Sequence, residues 1–176
     1  MSSLSSRDAF PAGADDLPTD RLVLRSWTAG DVDAVLGGTR LSYWAEDFPA
    51  EGDQVIAGLF TEHPGWSGVF GHRLIVERDS GLVVGSIGLF WPPTDGQLEI
   101  GYGVVAGRRG RGYAAEATRA LTRFALTAPG VHTVCATVEL SNPASVRVLE
   151  KAGFQRLGAE GNMARFGATA PDLSER

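Results

Sequence analysis

The chain has 176 residues, of which 43% are hydrophobic and 21% are charged, values typical of one soluble globular domain. Its formal net charge of −5 argues against non-specific nucleic-acid binding, which needs a positive surface. A single cysteine, Cys135, excludes an internal disulfide, and no apolar run approaches the roughly 18 residues that span a bilayer. Composition therefore predicts a cytoplasmic protein with neither a nucleic acid nor a membrane as its partner.

We expect three parts along the chain: a flexible lead-in over 1–18, one domain over 19–170, and a short tail over 171–176. The lead-in is rich in Ser, Asp and Pro and lacks the apolar segment of a secretory signal. The domain opens at 21–25, where polar and apolar residues alternate as in a strand with one buried face.

The first half of the domain combines two short helices with a meander. Thr28 is a candidate N-cap for a helix that ends at Gly37-Gly38, and apolar spacing over 53–62 predicts a second helix. Three strand-like segments separated by short turns then predict an antiparallel meander: 72–77, 82–89 and 97–105.

The second half predicts a parallel strand pair. A helix over 112–128 followed by a buried strand over 132–140 implies a right-handed crossover from the last meander strand. Asn142-Pro143 begins a further helix as N-cap and first residue, and Gly153 suits its C-terminal end. Two weaker strands complete the pattern: 154–157 and 163–168. We therefore predict an α/β fold, with a mixed sheet of about six or seven strands and helices on both faces.

The segment between the last meander strand and the long helix favours binding of a phosphate group. It reads Arg-Gly-Arg-Gly-Tyr-Ala over 109–114 and follows a further arginine, Arg108. Glycines let the backbone approach a ligand closely, and the N–H groups at a helix N-terminus attract anions. These features predict a pyrophosphate site, although glycine-rich turns with arginines also occur at strand–helix junctions that bind nothing.

A dinucleotide is one alternative ligand. Gly110, Gly112 and Ala115 match the fingerprint G-x-G-x-x-A, and Glu139 ends the following strand. This match is weak, because the strand before it belongs to a meander and the sequence has no second mononucleotide-binding half. A Walker A loop is excluded, since no Gly-Lys-Ser/Thr follows.

Three segments carry a resemblance to a known family: Glu-Ile-Gly-Tyr over 99–102, Arg-Gly-Arg-Gly-Tyr-Ala over 109–114, and the run from Ser-Asn-Pro-Ala-Ser to Glu-Lys-Ala-Gly-Phe over 141–154. Together they resemble the GCN5-related N-acetyltransferase (GNAT) superfamily, within it the branch of ribosomal-protein N-terminal acetyltransferases. Arg109, Gly112 and Ala114 meet the family signature Arg/Gln-x-x-Gly-x-Gly/Ala. The resemblance is clear over 97–158 and extends to Thr19.

This resemblance implies a mostly antiparallel GNAT-type sheet and transfer of an acetyl group from acetyl-CoA to a primary amine. A coenzyme A sensor without catalysis is the alternative. Ala106 stands where the family usually has a proline. No metal is expected, because His63 and His72 have no ligand spacing. The residues implied to bind the cofactor are Val104, Arg109, Gly110, Arg111, Gly112, Tyr113, Ala114, Asn142 and Ser145.

Two residues are candidates for catalysis. Glu99 precedes Gly101, where the family strand splays from its neighbour or carries a bulge. We expect Glu99 to lie near a buried thioester pocket, where it could take the proton of the attacking amine. By resemblance, the Ser145 hydroxyl could stabilise or protonate the departing thiolate. The alternative for Glu99 is a solvent-facing strand residue, and for Ser145 an ordinary helix residue. Tyr102 could act as an acid, but a packed strand aromatic is the better interpretation.

The resemblance implies that the acceptor site lies in the region between the first two strands, 21–25 and 72–77. Trp44, Asp47 and Phe48 combine aromatic rings with a carboxylate, which suits a cationic amine. The alternative is that the rings pack in the core and the acid complements a helix N-terminus. A protein N-terminus and a small-molecule amine both fit as acceptors, and the resemblance allows a homodimer.

Overall fold

The computed structural model describes residues 16–174, which form one eight-stranded sheet with helices packed on it. The strands are β1 (Leu17–Pro18), β2 (Leu22–Ser26), β3 (His72–Glu77), β4 (Val83–Leu89), β5 (Gln97–Val104), β6 (Thr133–Glu139), β7 (Gln155–Glu160) and β8 (Met163–Ala168). The α-helices are α1 (Ala29–Gly37), α2 (Glu51–Leu59), α3 (Tyr113–Ala125), α4 (Pro143–Lys151) and α5 (Ala170–Ser174). Two 3-10 turns lie at Pro64–Ser67 and Ala106–Arg108.

The strand order is β1-β2-β3-β4-β5-β6-β8-β7, and only the β5–β6 pair is parallel. Helix α3 connects these two strands, so the predicted crossover between a parallel pair is present. The predicted mixed sheet of a mostly antiparallel α/β fold is therefore confirmed. The eighth strand is the two-residue β1, which pairs with β2.

Most predicted elements lie where local patterns put them. Thr28 caps α1 by accepting a hydrogen bond from the Asp31 N–H, and Gly38 ends the helix with a left-handed φ of 76°. Helix α2 spans Glu51–Leu59, whereas the apolar spacing predicted 53–62. It begins two residues earlier because the Asp53 carboxylate accepts a hydrogen bond from the Ala50 N–H and so caps the helix.

Regular structure extends beyond both predicted boundaries of the domain, 19 and 170. The lead-in over 1–18 lies mostly outside the described residues, but Leu17–Pro18 at its end forms β1. After the predicted end at 170, helix α5 places the Leu173 side chain in a buried position. Within 16–174, no helix has the length and apolar character needed to cross a membrane.

Strands β5 and β6 separate halfway along β5, and this separation positions the site. They pair only as far as Glu99–Cys135, whereas β5 stays paired with β4 up to Val104. The β4–β5 register is continuous from Leu89–Ile100 to Gly85–Val104, so the bulge that the sequence predicted near Gly101 is absent from this pair and that prediction is wrong. Side chains therefore alternate without interruption: Tyr102 lies on the face covered by α3, and Glu99 on the opposite face.

Candidate active site

A cleft of about 490 Å³ lies where β5 leaves β6. Its walls are the end of β5, the loop over 105–112, the first turn of α3 and one side of α4. The structure brings all but one of the predicted cofactor residues to this cleft: Val104, Arg109, Gly110, Gly112, Tyr113, Ala114, Asn142 and Ser145 line it, and Arg111 does not.

The first turn of α3 presents unpaired N–H groups to the cleft. Gly112 is the N-cap residue, with a φ of 81°, and no side chain caps the helix. Because first-turn N–H groups have no acceptor within their own helix, those of Tyr113, Ala114 and Ala115 remain available to an anion. Gly110 shares the positive φ of 81°, a conformation that other residues adopt at a cost. The glycines thus let backbone N–H groups, rather than side chains, line this part of the cleft.

A buried carboxylate, Glu77 at the end of β3, anchors the loop from below. Its Oε2 accepts hydrogen bonds from the Tyr113 hydroxyl at 2.7 Å, Arg108 Nε at 3.2 Å and Arg111 Nη1 at 3.4 Å. Its Oε1 accepts a further one from the Ser80 hydroxyl at 2.6 Å. The Glu77 side chain is only 6% exposed, against 24% for Arg108 and 50% for Arg111. Two arginines of the cationic cluster are therefore held by the protein itself.

The Glu77 contacts also determine its charge. Burial raises the pKa of the Glu77 carboxyl, but hydrogen bonds from Ser80 and Tyr113 and the Arg108 guanidinium outweigh burial and lower the pKa below its ordinary value. The hydrogen bond to Glu77, with burial, raises the pKa of the Tyr113 phenol. At neutral pH the site therefore contains a charged Glu77 and a protonated Tyr113.

Arg21, beside β2, holds the loop from the other side. Its Nη1 donates to the Arg111 carbonyl oxygen at 2.8 Å, its Nε donates to Glu116 Oε1 at 2.8 Å, and its guanidinium lies 4.9 Å from the centre of the Tyr113 ring. Arg109 turns back and donates from Nε to the Val104 carbonyl oxygen at 3.0 Å. The loop is thus braced by contacts that no local motif reveals.

Tyr102 and Ser145 meet at the inner end of the cleft. The Tyr102 hydroxyl donates to the Ser145 carbonyl oxygen at 3.3 Å, and both residues line the wall. Burial raises the pKa of the Tyr102 phenol, so it is protonated at neutral pH. Asn142 acts as the N-cap of α4, since its Oδ1 accepts from the Ser145 N–H at 3.3 Å. The Tyr102 hydroxyl therefore lies in the cleft in its protonated form, although the sequence favoured a packing role for this residue.

Glu99 lies outside the cleft wall, on the opposite face of the sheet, with an exposed side chain. The buried surroundings that we expected for this carboxylate are absent. It is in register with Cys135, whose burial raises the pKa of the thiol, so the cysteine is not an activated nucleophile. Phe90 flanks Glu99, and its N–H donates to the Glu99 carbonyl oxygen at 2.9 Å.

The predicted acceptor residues divide into core and loop contacts. Trp44 and Phe48 are 5% and 1% exposed, and their rings pack edge to face at 5.2 Å. Asp47 is exposed, and its Oδ2 accepts a hydrogen bond from the Gly107 N–H at 2.8 Å. Asp47 therefore touches the loop before α3, whereas the two rings lie in the hydrophobic core.

Within residues 16–174, no group of three His, Cys, Asp or Glu side chains is placed to hold a metal ion. The histidine in β3, His72, is buried among aromatic rings, and this burial lowers its pKa to about 4. His72 is thus neutral at physiological pH and contributes packing rather than charge.

Comparison with known proteins agrees with this geometry. Residues 21–155 match the family model for the acetyltransferase (GNAT) domain. The uncharacterized N-acetyltransferase YoaA of Bacillus subtilis (strain 168) is 29% identical over 148 residues, covering 81% of this chain and 84% of YoaA. The uncharacterized N-acetyltransferase YjdG of the same strain is 35% identical over 86 residues, covering 48% of this chain. That alignment spans about half of YjdG, 51% of its length.

Among solved structures, AAC(6')-Ib in complex with Parmomycin and AcetylCoA is similar in fold, with a TM-score of 0.62 and 21% identity over 88% of this chain and 97% of that one. The named relatives are N-acetyltransferases, and family members use acetyl-CoA. The family match covers most of the sequence, including β5, the loop and α4. The chain therefore belongs to the GNAT acetyltransferase family.

Proposed function

We propose that the protein transfers the acetyl group of acetyl-CoA to a primary amine by direct attack. One observation carries the proposal: the uncapped first turn of α3 and the separation of β5 from β6 border the same cleft. The first provides an anion site, and the second leaves β5 backbone unpaired beside it. A long ligand with a pyrophosphate at one place and a thioester at another fits this arrangement.

Each element of the cleft has a part in the proposal. Acetyl-CoA supplies the acetyl group as a thioester. The N–H groups after Gly112 bind the pyrophosphate, and Val104 at the end of β5 lies beside the pantetheine arm. The amine nitrogen forms a bond to the acetyl carbon as the carbon–sulfur bond breaks. The Ser145 hydroxyl, with the Tyr102 hydroxyl near it, stabilises or protonates the thiolate.

The acceptor amine approaches, in this proposal, from the face of the sheet opposite α3. Glu99 is exposed on that face at the last β5–β6 pair, so its carboxylate can take the amine proton directly or through water. Asp47 is the exposed member of the acceptor residues predicted from sequence, and Trp44 and Phe48 support its segment from the core. A protein N-terminus, as in the ribosomal-protein branch, and a small-molecule amine both remain acceptor classes.

The dinucleotide alternative loses its structural basis in this fold. Nucleotide-binding sheets of that type are parallel, whereas β5 and β6 are the only parallel pair among the described strands. A coenzyme A sensor remains a second candidate, and turnover distinguishes it from an enzyme. Location in the cytoplasm and a homodimer stay predictions.

The test is a screen of amines with acetyl-CoA that measures thiol release. The library contains peptides with free N-termini, aminoglycosides, polyamines and amino acids. Turnover with at least one amine, above hydrolysis without amine, is the expected result. Tight binding of coenzyme A with no turnover across the library would favour the sensor, and failure to bind coenzyme A would refute both.

A further inference from the structure

Two cations of α4 face the cleft from the wall opposite the loop. Arg147 and Lys151 are four residues apart, so they lie on the same side of the helix. Both side chains line the cleft, and both residues are exposed. This pair has no part in the acetyl transfer proposed above.

Among the cations that line the cleft, these two lie on the α4 wall. Arg108 and Arg111 bond to the Glu77 carboxylate, and Arg109 lies on the loop wall, where its Nε donates to the Val104 carbonyl oxygen. For Arg147 and Lys151, the described part of the chain offers no carboxylate within ion-pair distance. Two uncompensated positive charges at one side of a cleft attract an anion with more than one negative charge.

Their place along α4 indicates which part of a ligand they meet. Ser145 lies at the thiol end of the cleft, and Lys151 follows it by six residues, which is about 9 Å along a helix at 1.5 Å per residue. The ligand portion beyond the pyrophosphate, away from the thiol, therefore extends along this part of α4. In coenzyme A that portion is adenosine with a 3′-phosphate.

Resting on the proposed function, we infer that Arg147 and Lys151 form a subsite for the 3′-phosphate of coenzyme A. A phosphate monoester carries close to two negative charges near neutral pH. The Arg147 guanidinium can bind two of its oxygens as a fork, and the Lys151 ammonium adds a mobile point charge. The subsite thus selects coenzyme A over its analogue without the 3′-phosphate.

Titration calorimetry with coenzyme A and dephospho-coenzyme A tests the subsite. The wild-type protein binds coenzyme A about tenfold more tightly, since charged hydrogen bonds at an exposed site keep part of their strength. The double variant Arg147→Gln/Lys151→Gln loses this preference but keeps its affinity for dephospho-coenzyme A. Arg156→Gln, which removes an exposed charge on β7 outside the cleft, keeps the wild-type preference.

Three results would overturn the inference. Equal weakening of both ligands in the double variant would place the two cations at the pyrophosphate. A preference unchanged from wild type would make them a solvated surface pair. Wild-type protein that binds both ligands equally would show that the 3′-phosphate is not recognised. Failure of the proposed function gives a different result, namely that neither ligand binds to wild type. Thermal unfolding of each variant verifies that it is folded.

Discussion

Glu77→Gln removes one buried charge beneath the loop while keeping the shape of the side chain. In the wild-type protein, Glu77 Oε2 accepts hydrogen bonds from Tyr113, Arg108 and Arg111, and Arg108 Nε also reaches Oε1 at 3.4 Å. The glutamine retains one acceptor oxygen, but its amide presents N–H donors to arginine donors. We therefore expect the variant to fold with a weakened anchor beneath the loop.

The expected loss in the free energy of unfolding follows from how exposed each partner of Glu77 is. Arg111 is half exposed, so its ion pair is worth at most about 1 kcal/mol. Arg108 is largely covered and Tyr113 is buried, and hydrogen bonds to a charged acceptor exceed neutral ones by about 1 kcal/mol each. We expect the free energy of unfolding to fall by about 2 kcal/mol at pH 7. Glu160→Gln, at an exposed position of β7, should change it by no more than about 0.5 kcal/mol.

Urea denaturation between pH 4 and 7, read by tryptophan fluorescence, measures the effect. The folded-state pKa of Glu77 lies below its ordinary value of 4.5, so the charge stabilises the protein fully above that value. This contribution is lost as pH falls through the folded pKa. The difference between wild type and Glu77→Gln should therefore be constant from pH 7 to about 5.5 and shrink below 4.5. The same difference at every pH would refute an ionic anchor and indicate a steric defect.

Three further predictions concern the proposed reaction. Gly112→Val should weaken coenzyme A binding at least about tenfold in calorimetry, whereas the control Gly130→Val, at a glycine with a similar φ of 83° outside the cleft, should not. The same coenzyme A affinity in both variants would contradict binding at the loop. Ser145→Ala should lower kcat about ten- to a thousandfold with little change in coenzyme A affinity, and Ser141→Ala serves as the matched hydroxyl control. Glu99→Gln should slow acetylation most at low pH, where the amine is protonated, and a deficit that is the same at every pH would mean that Glu99 only positions the acceptor.

Sequence patterns identified the loop and most elements because their causes are local. Thr28 and Asn142 cap helices through contacts within three residues, and both helices begin where the caps predict. Gly110 and Gly112 carry the positive φ values that a tight backbone turn needs. Spacing, caps and glycines act between near neighbours, so they can be recognised without knowledge of the fold.

For three candidate site residues, the structure shows surroundings that differ from those predicted. Their surroundings depend on tertiary packing, including which face of the sheet a residue occupies. Glu99 was expected beside a bulge in a buried setting, and the uninterrupted β4–β5 register places it on an exposed face. Trp44 and Phe48 carry no pattern that separates a ligand wall from the core, and the structure buries both rings. A one-residue change in register moves a side chain from one face to the other, so these assignments need the pairing itself.

By itself, the sequence determined the α/β class, the crossover through α3 and the place of the glycine-rich loop. Only the tertiary structure decided how the loop's arginines are used. Glu77 is 31 residues from Arg108 in the chain, and the folded sheet brings them within 3.2 Å. It also leaves Arg147 and Lys151 as cations facing the cleft. A charged side chain shows its partner only when distant segments have packed, because the same residue type serves an ion pair, a ligand or solvent equally well.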